Sequence, residues 1–291
     1  YTTSGSLLSR ITGNDPQLLE YNALVIDEAH ERSIQMDLQF LLIREVLRKR
    51  PDFKLVIMSA TIDLQKFIDY FSDVGSYAEF DVGGETAKPI TDYYLPKPAK
   101  DWKDNMIDTI VRILKQSDDG DILGFVKSGG EGRQLCQKLK EASTKEGLKP
   151  FCVELESRSK FEVVNVERQI TKEKFAINMA LYKTHPNADP NSPYDRKVVF
   201  ATNAAESSIT VDGIVFVIDS GLEYNDKYFP CENARSLMEE FISQSAVIQR
   251  RGRAGRTREG YCYHLYTEKQ YSEFDQYPIP DIQKTDLSPY L

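Results

Sequence analysis

Short apolar runs alternate along this chain with longer stretches whose apolar positions recur at three- and four-residue intervals. The runs ALVI (23–26), KLVIMSAT (54–61), DILGFV (121–126), RKVVFATN (196–203), IVFVIDSG (214–221) and YCYHLY (261–266) predict strands. Consecutive, partly β-branched residues from Ala23 to Ile26 suit a parallel strand covered on both faces. Residues 33–50 predict a helix with Ile34, Leu38, Leu41, Leu42 and Leu47 near one face. Arg48, Lys49 and Arg50 fall in its last turn, where they suit the dipole, and Pro51 stops it. This is the βαβ rhythm of an α/β protein with mostly parallel sheets.

Three stretches depart from that rhythm. Residues 83–104, rich in Pro and Lys, predict a connector and divide the chain into 1–90 and 91–291. Residues 154–195 are polar and irregular, ending in a run of Pro, Asn and Asp that predicts an exposed insertion. Residues 222–238 alternate and contain a Tyr-Asn-Asp turn signal, predicting a β-hairpin that projects between a strand and a helix.

Composition narrows the class without naming a chemistry. The 291 residues are 41% hydrophobic and 28% charged, enough for a folded protein of two domains. No apolar stretch is long enough to span a bilayer and no signal peptide is present, so a membrane is not an expected partner. Cys136, Cys152, Cys231 and Cys262 lie far apart with no CxxC spacing, which suggests neither a zinc site nor a disulfide framework. The default is then a reducing, intracellular compartment, with cytoplasm, nucleus and virion undistinguished. A net charge of −8 argues against a protein coated in positive potential and says nothing about a local basic groove.

Two stretches carry candidate chemistry. VIDEAHER (25–32) puts Asp27 and Glu28 at the carboxyl end of a predicted strand, where open α/β sheets bind ligands. Such a pair can hold a hydrated cation and orient a water; it can equally open the next helix, where negative charge is favoured. SAVIQRRGRAGRTREG (245–260) gathers Arg250, Arg251, Arg253, Arg256 and Arg258 behind Gln249, with Gly252 and Gly255 among them. A solvated surface helix explains this poorly, because each interior glycine costs about 1 kcal/mol relative to Ala. Close packing against the backbone explains the glycines better. Guanidinium groups also offer the fixed, permanently charged fork that suits a phosphoryl group.

Together, YTTSGSLL, VIDEAHE, MSAT, ILGFV, FATNAAESSITVDGIVFVIDSG and QRRGRAGR, in this order over nearly the whole chain, resemble the DEAH-box helicases of superfamily 2. The resemblance implies two RecA-like domains, the C-terminal part of the first in 1–90 and the second in 91–291, with ATP and Mg²⁺ between them. It implies an ATP-dependent helicase or translocase acting on single-stranded or partly duplex nucleic acid, RNA before DNA, with an activating protein as a further possible partner. Asp27 would hold Mg²⁺ through its water shell and Glu28, beside it at the metal, would orient the attacking water. His30 would face the second domain near Gln249, itself the contact to the water or γ-phosphate, and Ser59 and Thr61 would link His30 and the cleft to the nucleic-acid side. Arg253 and Arg256 match the arginine fingers. Ser207 and Asp212 would lie toward the nucleotide, Thr202 and Asn203 toward the strand backbone, and Thr3 and Gly5 would touch its phosphates from the first domain. Tyr182 is the candidate for stacking on adenine.

Departures temper the resemblance. No GxxxxGK[ST] loop occurs in these residues, and the family's winged-helix and helical-bundle domains are missing, so a fragment without ATPase activity of its own is expected. Two other functions share part of the pattern: a non-hydrolysing nucleic-acid-binding or assembly module, and a DNA translocase. The first would not need the charges at Asp27, Glu28, Arg253 and Arg256.

Overall fold

The computed structural model describes residues 1–61, 63–83, 88–155, 166–178, 181–185, 187, 194–203 and 210–288. The chain forms two compact units that are not consecutive stretches: Tyr1–Gly84 with Asp226–Leu237 and Tyr277–Leu291, and Glu85–Asn225 with Met238–Gln276. Among the described residues no helix is long and apolar enough to cross a membrane.

In the first unit, α1 (Ser4–Thr12), β1 (Ala23–Ile26), α2 (Ile34–Lys49), β2 (Lys54–Ile57) and α3 (Leu64–Phe71) follow one another. Ser33 starts α2 by accepting from the Met36 amide at 3.4 Å. The buried stripe of α2 is Met36, Gln39, Phe40, Ile43 and Val46, whereas Leu41 is exposed. The expected face is therefore rotated, because residues 38–47 are apolar around most of the helix and periodicity alone leaves its orientation open. β1 and β2 pair in parallel, Ala23 opposite Lys54 and Ile26 opposite Ile57. Leu24, Ile26, Leu55 and Ile57 join the core formed with α1, α2 and α3, while Val25 and Val56 are exposed. The expectation that β1 is covered on both faces is corrected: among the described residues only one face is.

The second unit is built on six parallel strands in the order β3-β10-β7-β4-β6-β5. They are β3 (Ile90–Tyr94), β4 (Asp121–Phe125), β5 (Pro150–Leu155), β6 (Arg196–Ala201), β7 (Ile214–Asp219) and β10 (Gly260–His264). Every residue of β4, β6 and β7 is buried, as continuous apolar runs require. The two-residue period divides their side chains between two cores. Ile122, Val198, Phe216 and Ile218 pack with α4 (Trp102–Gln116) and α5 (Gly129–Lys145), and Leu123, Phe125, Val199 and Val217 pack with Phe151 and Tyr182. β3 arises where a connector was expected, and β5, for which no strand was predicted, runs into the first two residues of the expected insertion. Prolines and lysines hid β3, but its Tyr93 and Tyr94 stack on Tyr263 and His264 of the neighbouring strand. Part of the expected insertion is a helix, α6 (Val166–Ile177), and much of the rest lies outside the described residues.

The cysteines also correct an expectation. Cys136 on α5 and Cys152 on β5 form a disulfide, their Cα atoms 5.6 Å apart and 16 residues apart in sequence. A helix that turns back along the following strand brings such positions together although no short cysteine spacing marks them. Closing a loop of this length contributes about 3 kcal/mol in the chain-entropy account.

Between β7 and α7 (Gln244–Arg251), β8 (Leu222–Phe229) and β9 (Ala234–Phe241) form the expected hairpin. Its turn lies at Pro230–Asn233 instead of Tyr224–Asp226. Asn233 takes the left-handed conformation there, φ 46°. Asn225 lies within β8, its amide donating to Glu223 and across the hairpin to Glu240. The short helix α8 (Glu268–Ser272) follows β10.

Candidate functional site

In the first unit the candidate residues cluster at the carboxyl ends of β1 and β2. The ladder continues past both strands: Met58 N–H donates to Ile26 O at 2.8 Å and Ala29 N–H to Met58 O at 3.0 Å. This pins Glu28 in a left-handed conformation, φ 54° and ψ 39°, unusual for a residue with a side chain. Asp27 helps to hold it, its Oδ1 accepting from the Glu28 amide at 2.8 Å. Asp27 is exposed and Glu28 half-buried, so both carboxylates remain available to a ligand. His30 Nδ1 lies 2.9 Å from Ser59 Oγ, and the Ser59 hydroxyl donates to Thr61 O at 3.1 Å. With its one hydrogen committed to Thr61, Ser59 can only accept from His30. The other ring nitrogen of His30, Nε2, lies 3.5 Å from Glu28 Oε2. The structure thus brings Glu28, His30, Ser59 and Thr61 into one chain of contacts.

In the second unit, α7 and the turn after it carry the arginines. Ser243 caps α7, and the helix ends before Gly252, so neither glycine lies inside it. Gly255 serves a close approach: a Cβ there would lie 2.8 Å from Lys88 O and 2.7 Å from Ile90 Cγ1. Arg250 points inward and is fully buried, its Nη1 2.9 Å from Asp219 Oδ1 and its guanidinium over the Phe125 ring. Arg251 donates through Nε to both Asp92 oxygens and through Nη2 to Ile90 O. Gln249 and Arg253, four apart, are half-buried, whereas Arg256 is exposed and donates to Thr210 Oγ1 at 2.8 Å. Arg258 pairs with Asp119 at the surface. The five arginines therefore separate by position into two interior ties, two candidates for phosphate, and one surface ion pair.

Residues 105–258 match the helicase conserved C-terminal domain. The chain belongs to that helicase family. It is 36% identical over 290 residues, 99% of its length, to protein L540 of Acanthamoeba polyphaga mimivirus, provisionally named an ATP-dependent RNA helicase, of which those residues span 39%. It is similar to two solved structures of Escherichia coli HrpB, described as a DExH-box NTPase and as a DEAH/RHA helicase. The TM-scores are 0.75 and 0.72 at 30% and 29% identity, covering 98% of this chain and 32% and 33% of theirs. The parallel sheet of the second unit is accordingly the RecA-like α/β fold of helicase C-terminal domains, and the chain spans about two fifths or less of these relatives.

The other expected site residues of this helicase chain fall differently. Thr3 caps α1, its hydroxyl accepting from the Ser6 amide at 3.3 Å, and Gly5 faces the Gln35 side chain at ordinary contact distance. Thr202 is buried just past β6, Asn203 beside it is exposed, and Ser207 lies outside the described residues. Asp212 is exposed, its backbone fixed by Ile177 O and by the Lys197 ammonium. Tyr182, expected to stack on adenine, is instead a core residue, 4% exposed and stacked on Phe151. Burial also holds its hydroxyl un-ionised, the pKa pushed up to about 12.

Beneath the arginines of this helicase domain lies a polar network that sequence alone did not reveal. Tyr266 OH donates to Asp219 Oδ2 at 2.9 Å and lies 2.8 Å from His264 Nδ1, and His264 Nε2 lies 3.0 Å from Asp92 Oδ1. Asp92 is desolvated, yet its bonds to His264 and Arg251 outweigh that and hold its carboxyl below the ordinary value. Asp92, Cys262 and His264 could bring three ligand atoms to a cation, but Arg251 covers both Asp92 oxygens, and burial pushes the Cys262 thiol well up. Charge pairing, not metal binding, is what this cluster provides. Asp219→Ala would leave the Arg250 charge buried without its carboxylate, and about 3–5 kcal/mol of stability should be lost on chemical unfolding. A loss under about 1 kcal/mol would mean the pair is not a structural tie.

Proposed function

We propose that this chain forms part of the catalytic core of a DEAH-box helicase of superfamily 2, driven by Mg-ATP hydrolysis along RNA. The observation that carries the proposal is the contact chain of Glu28, His30 and Ser59 at the carboxyl ends of β1 and β2, which joins the VIDEAHE and MSAT segments. RNA is favoured because the mimivirus relative is named for it, and the DEAH assignment because one HrpB structure is described so.

The residues fit a hydrated cation and a phosphate chain. Asp27 offers an exposed oxygen donor whose backbone is held by the ladder, as Mg²⁺ with its retained waters prefers. Bound there, Mg²⁺ supplies charge neutralisation for the phosphates. Glu28 is the residue to orient a water, its carboxylate held by strained but well-tied backbone. Arg256 and Arg253, with Gln249, are assigned to the charge that develops on the transferred phosphoryl group, and Asp212 and Ser207 to the rest of the nucleotide. Thr3, Gly5, Thr202 and Asn203 would hold the strand through its backbone without reading bases.

In the full-length protein, single-stranded RNA should stimulate ATP hydrolysis more than DNA of the same sequence, and a tailed RNA duplex should separate only with hydrolysable ATP. Equal stimulation by DNA would move the assignment to a DNA translocase. RNA binding without turnover would make the protein a non-hydrolysing module.

A further inference from the structure

Lys127 follows β4 at the carboxyl edge of the six-stranded sheet, and its side chain is only 6% exposed. Its ammonium pairs with Glu239 of β9 and lies 3.3 Å from Glu131 Oε1 in the first turn of α5. Two rings flank it: Trp102, which begins α4, at 5.6 Å, and Tyr224 of β8 at 5.1 Å. Lys103 shares the Glu131 oxygen at 2.9 Å and also lies over Trp102. One cation therefore touches both strands of the hairpin base and both helices of one sheet face. Burial works against the Lys127 charge, and its bonds to Glu239 and Glu131 outweigh that and raise its pKa. A lysine kept for phosphate presents its ammonium to solvent; this one is enclosed by two carboxylates and two aromatic faces.

We propose that Lys127 is a positioning residue, a cationic clamp that fixes the base of the β8–β9 hairpin on the RecA-like sheet and so couples ATP turnover to strand separation. The part concerning strand separation rests on the function proposed above; the clamp itself rests on geometry alone. Removing the charge frees Tyr224 and Glu239 to move away from Trp102, while the bonds of Asp27 to Glu28 and of Arg256 to Thr210 do not involve Lys127. Arginine keeps the charge and the stacking, and so should preserve the clamp.

The chain contains a single tryptophan, Trp102, which makes the clamp observable. In the full-length protein the Trp102 signal is obtained by difference from a W102F version of each variant. K127M should raise acrylamide quenching of Trp102 at least twofold and hasten proteolysis within 222–241, and K127R should do neither. K127M should also lower duplex unwinding at least tenfold while RNA-stimulated ATP turnover stays within twofold, with K127R restoring unwinding. Unchanged quenching and proteolysis in K127M overturn the clamp. A changed Trp102 with parental unwinding overturns the coupling role, as does a fall in ATP turnover matching the fall in unwinding. If the parent separates no duplex but the Trp102 and proteolysis results hold, the helicase reading fails and the clamp stands.

Discussion

Glu28→Gln in the full-length protein should leave Mg-ATP binding within about twofold and cut kcat by about 10²- to 10⁴-fold, the range expected for loss of a positioned base. The change is nearly isosteric, and the backbone that presents the side chain does not depend on its charge. Glu28 is held by the Asp27 carboxylate on its amide and by the Ala29 bond to Met58. Equilibrium binding of a fluorescent nucleotide, beside steady-state phosphate release, separates the two quantities. Unchanged release would remove Glu28 from the chemistry, and lost binding would show that it acts on the ground state.

The arginines give a still larger contrast. Arg256→Lys and Arg253→Lys should each lower turnover strongly, toward the roughly 10³- to 10⁵-fold that an arginine finger contributes, because an ammonium cannot reproduce the forked donors. Arg258→Lys should stay within about twofold: its guanidinium pairs with Asp119 at an exposed surface, where an ion pair contributes about 1 kcal/mol or less. Single-turnover hydrolysis at saturating nucleotide measures all three. Similar losses for the three would identify a general basic patch instead of a site.

Much of this was legible in the chain because local pattern and local structure agree there. β4, β6 and β7 are apolar apart from Asp121, Arg196, Lys197 and Asp219 at their ends, since both faces are covered, and VIDEAHER and QRRGRAGR sit at the element ends that their residue types suggest. What stayed hidden depends on contacts distant in sequence. Asp92 looked like part of a connector, and only pairing of β3 with β10 places it under Arg251 and His264. Tyr182 was the candidate for stacking on adenine, yet Phe151, 31 positions earlier, stacks on it in the core. The enclosure of Lys127 was not legible, since its partners come from α4, α5 and the two hairpin strands.

Strand order in the second unit bears on how the chain is made. Among the described residues, β3 is the earliest strand of that sheet and its one neighbour is β10, the latest, which inserts between β3 and β7. On the ribosome, Ile90–Tyr94 must wait without a hydrogen-bonding partner until Gly260–His264 has emerged, a contact of long sequence separation that forms late. The arginines at 250–258 are translated just before that closing strand, and Gly255 is seated against Lys88 and Ile90 only as β3 is captured. A nascent chain interrupted ahead of Gly260 therefore holds every arginine of the motif, with Asp219 already made for Arg250, but lacks the strand that fixes β3 and with it the Asp92 tie of Arg251.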